Sequence, residues 1–155
     1  MPEPPILFLV AAARRSVVSL VGPQLESLGL TLQEYAVLAA AAEQPGLGQS
    51  EVCRRSALDL AAASRAVSAL MERRLLRTAR SPRDRRKRVL HLTDAGRAEA
   101  QQILPRVETI FAEVEAGLPG AERSALAAAL RVLALRADGL RSAQARSQRA
   151  PAGSS

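Results

Sequence analysis

Apolar positions recur along this chain with the helical period nearly throughout, and with the period of a strand only once, between residues 75 and 92. The first run covers residues 6–28, behind Pro2, Pro4 and Pro5, with Ile6, Leu7, Phe8, Leu9, Val10, Val17, Val18, Leu20, Val21, Leu25 and Leu28. That exceeds one stripe on a surface helix, so the pattern predicts a helix with two buried faces. Gly22-Pro23 should kink or split it, and Gly29 should stop it. Thr31 and Glu34 have capping-box spacing. They open a second helix over 32–43, along Tyr35, Leu38, Ala39 and Ala42, which Gln44-Pro45-Gly46 ends.

Gly48 and Glu51 cap a short helix at 49–56 more weakly, and Asp59 caps one running to about Arg74. The turn between them, Ala57 to Asp59, has helix-turn-helix length. In the second of these helices Leu60, Ala63, Val67, Leu70 and Met71 are expected in the core. Ala61, Ala62, Ser64, Arg65, Ser68 and Glu72 are expected outside. Residues 75–80 and 86–92 read as strands around the turn residues Ser81-Pro82-Arg83-Asp84. Thr93 caps a helix over 94–116, carrying Ile103, Leu104, Val107, Ile110, Phe111 and Val114, with a slight bend at Pro105. After a break at Gly117–Gly120, a last helix over 121–141 shows Leu126, Leu130, Leu133 and Leu140. From Ser142 on no large apolar residue remains, and residues 142–155 are expected to be disordered.

Charge sharpens this outline. The net charge is +7 and the pI near 11.2, which favours a polyanion, nucleic acid before acidic membrane. Residues 73–88 hold nine of the 22 Lys and Arg beside a single Asp. A basic hairpin directly after a helix-turn-helix is what a reader of duplex DNA needs. At 155 residues the chain fits one domain, and with 2% aromatics its core must be built from Leu, Val and Ala. The one cysteine excludes an internal disulfide and a Cys-rich zinc site, and fits a reducing cytoplasm. No secretory signal and no run of about 18 uncharged apolar residues is evident, so a soluble protein with no membrane partner is expected. A Gly-rich phosphate loop, a nucleophile with its base and a metal-ligand cluster are all missing from the pattern. No enzyme activity, cofactor or metal is expected.

Two motifs carry a family resemblance. Asp84-Arg85-Arg86 followed, five residues on, by Leu92-Thr93-Asp94-Ala95-Gly96 resembles the D-x-R…L-T-x-x-G wing pattern of the MarR family of transcriptional regulators. Leu28-Gly29-Leu30-Thr31 with Gln33-Glu34-Tyr35-Ala36-Val37-Leu38 is similar to that family's first-to-second helix junction. The resemblance spans about residues 6–141. It implies a mainly α fold with a small β-hairpin wing: a winged helix-turn-helix over 31–96, and a helical dimerisation region from both chain ends, 6–28 and 97–141. It also implies a homodimer on double-stranded DNA, with the recognition helix in the major groove and the wing in the minor groove. By position Asp84 would brace the wing and Arg86 would enter the groove. The chain departs from the family at Arg74, where a glycine is usual, and at Ala61, Ala62 and Ala63, where larger or hydroxylated side chains are common.

The expected DNA contacts are therefore Ser64, Arg65 and Ser68 on the helix, with Arg83, Asp84, Arg86, Lys87 and Arg88 on the wing. Most of the arginines should meet phosphates, which supply affinity without sequence information. The resemblance also points to Arg14, Arg15 and Tyr35, on the first two helices where the family often holds an effector, for a small anionic or phenolic ligand that an arginine would pair with; a salt bridge at a dimer surface is the other reading of the arginines. Cys53, beside Val52, reads better as a small structural hydrophobe than as a sensor thiol. His91, the single histidine, has no evident metal partners. The function expected is a cytoplasmic homodimeric repressor that binds an inverted repeat and is released by an effector. A non-specific architectural DNA-binding protein is the alternative, because the recognition face is rich in alanine.

Overall fold

A computed structural model describes residues 3–149. The order of elements is α1 (Ile6–Glu26), α2 (Leu32–Glu43), α3 (Gln49–Ser56), α4 (Leu60–Glu72), β1 (Leu76–Arg80), β2 (Arg88–Leu92), α5 (Asp94–Glu115) and α6 (Gly120–Arg149). These elements form two compact units that divide within α5, after Ile110.

In the first unit, local chemistry sets most boundaries. The Thr31 hydroxyl accepts from the Glu34 N–H (3.2 Å) while the Glu34 carboxylate accepts from the Thr31 N–H (2.8 Å), which is the expected capping box. Asp59 accepts from the Ala62 N–H at 2.8 Å and starts α4. Gly29, at φ +64°, closes α1. The helix runs unbroken through Gly22-Pro23, so the expected split does not occur. The core joins Val21 and Leu25 of α1, Val37 and Leu38 of α2, Val52 of α3, Leu70 of α4 and Ile103 and Val107 of α5. α1 and the first turns of α5 thus belong to the same compact unit as the helix-turn-helix, through side chains that are fully buried.

β1 and β2 pair antiparallel, from Leu76 opposite Leu92, through Arg77 opposite His91, to Arg80 opposite Arg88. A third partner, which the sequence pattern did not mark, is Leu47: its carbonyl accepts from the Leu90 N–H (2.8 Å), and the Gly46 N–H donates to the Leu90 carbonyl (3.0 Å).

Three expectations change. On α4 the buried stripe is Ala63, Ala66, Val67 and Leu70, whereas Leu60 is 65% exposed and Met71 is exposed too. Leu60 is the first helical residue, ahead of the stripe that meets the core, so apolar spacing alone misplaced it. On α1 only Val21 and Leu25 are buried, and Ile6 to Val10 and Leu20 lie exposed, so the two buried faces are not formed within one chain. In the second unit α6 runs on to Arg149, so residues 142–149 of the expected disordered tail are helical, and 150–155 lie outside the described residues. Helix propensity extends it without burial, because Ala and Arg are good helix formers. Leu126, Leu130, Leu133 and Leu140 are exposed along it.

Candidate functional site

The outer face of α4 and the hairpin form one basic surface. Ser64, Arg65 and Ser68 are exposed, as the helical phase predicted. Ser64 and Ser68 line a groove of about 220 Å³ with Gln49, Thr78 and Arg88, between the helix and the hairpin stem. Arg88 Nη2 donates to Thr78 Oγ1 at 2.7 Å, which directs its guanidinium back along the stem. Arg65 borders a separate groove of about 300 Å³ with Thr31, Gln33 and Glu34 at the start of α2. The structure therefore gathers Ser64, Ser68 and Arg88 and leaves Arg65 apart. Gln33, Gln49 and Thr78 join these grooves only through tertiary packing, and none of them was an expected DNA contact.

The hairpin tip is built on Asp84. Its carboxylate accepts from the Arg86 N–H (3.0 Å), and its carbonyl accepts from the Lys87 N–H (2.9 Å). The Ser81 N–H donates to the Lys87 carbonyl (2.9 Å) and closes the loop. With Asp84 turned to the backbone, Arg83, Arg85, Arg86 and Lys87 stand exposed, and none of them makes an ion pair with a described residue. Arg54 and Arg55 differ. Arg55 donates to Glu43 (3.1 Å), Gln44 and Glu51 (3.2 Å) and so ties α3 to the end of α2, while Arg54 pairs with Glu51 within α3. An unneutralised cation cluster beside an exposed helix face attracts a polyanion.

The helix end beneath this surface is strained. Arg74 has φ +58°, the left-handed conformation that favours glycine. It closes α4 with two hydrogen bonds, Arg74 N–H to the Met71 carbonyl (2.9 Å) and Leu75 N–H to the Leu70 carbonyl (2.8 Å). The arginine thus reproduces the turn that a glycine would make there.

A cleft of about 470 Å³ lies between the end of α2, the hairpin stem and α5. Ala41, Ala42, Pro45, Leu92, Ala100, Leu104 and Pro105 make it apolar, and Arg77, His91, Gln101 and Glu108 add polar groups. Arg97 also reaches it, but donates to the Leu92 carbonyl (3.1 Å) and pairs with Asp94. The expected effector residues do not converge. Arg14 borders a smaller cleft of about 250 Å³ with Val18, Glu26 and Gln33, Arg15 is exposed outside both, and Tyr35 is buried. Burial first, and the Glu108 carboxylate second, raise the Tyr35 phenol above its usual value of 10.0. Cys53 is half-buried. Among the described residues no three His, Cys, Asp or Glu side chains come together to hold a metal ion.

An exposed helix-turn-helix, a cationic hairpin and helices at both chain ends define a winged helix-turn-helix DNA-binding regulator. The chain belongs to the MarR family, whose model matches residues 28–87, and whose members regulate transcription rather than catalyse reactions. Among solved structures it is similar to BpsR of Bordetella bronchiseptica, at 30% identity and TM-score 0.68, over 83% of this chain and 97% of that one. The DNA binding of that protein is regulated by 6-hydroxynicotinic acid. PcaV of Streptomyces coelicolor, in complex with its natural ligand, is 28% identical with TM-score 0.71, covering 88% and 99%. CouR of Rhodococcus jostii RHA1, bound to p-coumaroyl-CoA, is 28% identical with TM-score 0.75, covering 84% and 92%. No curated protein sequence matches the chain.

Proposed function

We propose that this regulator acts in the cytoplasm as a homodimeric repressor on an inverted-repeat operator, and that a small effector with a carboxylate and a hydroxyl releases it. The observation that carries the DNA reading is the unpaired cation cluster at the wing tip beside the exposed face of α4. α4 would lie in the major groove, with Ser64, Arg65 and Ser68 toward base edges or phosphates. Asp84 would hold the wing so that Arg86 enters the minor groove, while Arg83, Lys87 and Arg88 meet phosphates. Two reading heads of a dimer would engage half-sites about 34–36 Å apart.

The dimer reading is supported by the apolar residues left uncovered, Ile6 to Val10 on α1 and Leu126, Leu130 and Leu133 on α6. α1 has the length and mean hydropathy of a membrane span. Arg14-Arg15 near its middle opposes insertion, at about 2.5–3.5 kcal/mol for each charge, so a second protein surface is the better cover. The effector reading is supported by the larger cleft. Arg77 there can pair with a carboxylate, Glu108 can accept from a hydroxyl, and much of the rest of the lining is apolar. Arg14 at the smaller cleft is the second candidate.

The deciding experiment is a footprint on the DNA flanking the gene, followed by competition with random duplex. A preference of about a thousandfold or more is expected for a specific regulator. Equal affinity for both would overturn this function and favour an architectural protein, the reading that exposed Ala61 supports.

A further inference from the structure

Residues 73–75, between the reading helix and the wing, are latched onto one face of α5. The Thr93 hydroxyl donates to the Arg74 carbonyl at 2.6 Å, and the Thr93 N–H to the Leu75 carbonyl at 3.0 Å. Gly96 lies against the Leu75 backbone. The Glu99 carboxylate accepts from Arg73 Nη2 at 2.9 Å. Thr93, Gly96 and Glu99 are each three residues apart and so stack along the first turns of α5.

Arg73 extends the latch to a third element. Its Nη1 donates to the Gly29 carbonyl (2.8 Å) and its Nη2 to the Leu28 carbonyl (3.2 Å), at the C-terminal end of α1. Those carbonyls lie in the turn just past Glu26, the last residue of α1, beside the helix's negative end, which a guanidinium suits. One side chain thus joins the end of α4, the α1–α2 turn and α5. Its donors point into the protein, unlike those of the wing arginines.

We propose that Arg73 is a positioning residue for sequence recognition: it sets the angle of α4 without touching DNA. A 13-residue helix is about 20 Å long, so a tilt of about 3° at its Arg73 end moves the first turn by about 1 Å. A shift of that size disrupts side-chain pairing with base edges, but hardly alters the attraction of a cationic surface to phosphates. Loss of Arg73 therefore lowers discrimination and spares non-specific binding.

The test uses the tightest duplex that the wild-type protein selects from a random library, and a random duplex of equal length. Both are titrated at several salt concentrations, with circular dichroism confirming that each variant is folded. For Arg73→Ala the selected duplex is expected to bind about tenfold more weakly, with affinity for random duplex and the salt slope unchanged. Glu99→Gln should move the same ratio in the same direction. Combined with Arg73→Ala it should add less than its separate effect, as coupled residues do. A salt slope lower by about one unit would make Arg73 a phosphate contact and overturn the proposal. Equal affinities to wild type on both duplexes would also overturn it, leaving Arg73 a stabilising residue only. If Arg73→Ala does not fold, Arg73→Lys decides by the same comparison, because an ammonium cannot span the three acceptors as a planar fork does.

Discussion

Gly96 packs against Leu75 so closely that a Cβ at position 96 would stand 2.0 Å from the Leu75 carbonyl oxygen. The obstacle is backbone, and the same oxygen is held by the Thr93 N–H, so it cannot turn aside. Gly96→Ala is therefore expected to destabilise the protein by about 3 kcal/mol, the upper end of ordinary overpacking. Chemical unfolding measures this, and a loss under 1 kcal/mol would mean that α5 can slide off the joint.

The opposite change is expected at Arg74, the residue before Leu75. Arg74 at φ +58° sits where L-residues are disfavoured by about 1–2 kcal/mol. Its backbone hydrogen bonds do not need its side chain. Arg74→Gly should raise stability by about 0.5–1 kcal/mol after the added freedom of the unfolded chain is counted. That corresponds to a Tm higher by about 1–4 °C. A lower Tm would show that the Arg74 side chain holds something of its own.

At the wing, Arg86→Ala should weaken operator binding strongly, while sedimentation and helicity stay as in the wild type. Arg83→Ala and Lys87→Ala should each lower the salt slope by about one unit if these side chains neutralise phosphates. Operator affinity unaltered by Arg86→Ala at physiological salt would remove the wing from the interface.

The larger cleft predicts a ligand by its chemistry. Hydroxylated aromatic carboxylates at a hundred times their Kd should raise Tm by about 5–10 °C, and Arg77→Ala should abolish the rise. If the rise survives Arg77→Ala and vanishes with Arg14→Ala, the effector sits in the smaller cleft.

Tyr35 predicts an alkaline limb of stability. Its folded-state value is raised above 10.0, so the neutral phenol is the favoured form in the fold. The stabilisation is complete below about pH 10 and is lost as pH climbs through the folded-state value. Few other groups share that window, since the chain has one Tyr, one Cys and a single lysine, Lys87. Tyr35→Phe should flatten the stability curve above pH 10, and an unchanged slope would place the dependence elsewhere.

The exposed face of α4 and the basic hairpin were legible beforehand. Ser64, Arg65 and Ser68 follow from helical phase, and the wing from turn residues set among arginines. The larger cleft was not legible. Arg77, His91 and Glu108 come from two strands and a helix, and only the pairing of Arg77 with His91 and the packing of α5 bring them together. The family resemblance pointed instead to Arg14, Arg15 and Tyr35, which neither cleft brings together.

The sequence by itself determined where α2, α4 and the hairpin turn begin, because caps and turns act over a few residues: Thr31 with Glu34, Asp59 with Ala62, Asp84 with Arg86. It also determined the basic character of the hairpin. The tertiary structure alone decided that Ala66 is buried and Leu60 exposed, and that Leu47 pairs with β2. It alone decided that Gly96 meets Leu75, and that Arg73 reaches residues 26 to 45 positions away. Those outcomes depend on how distant segments pack, and local periodicity carries no record of that.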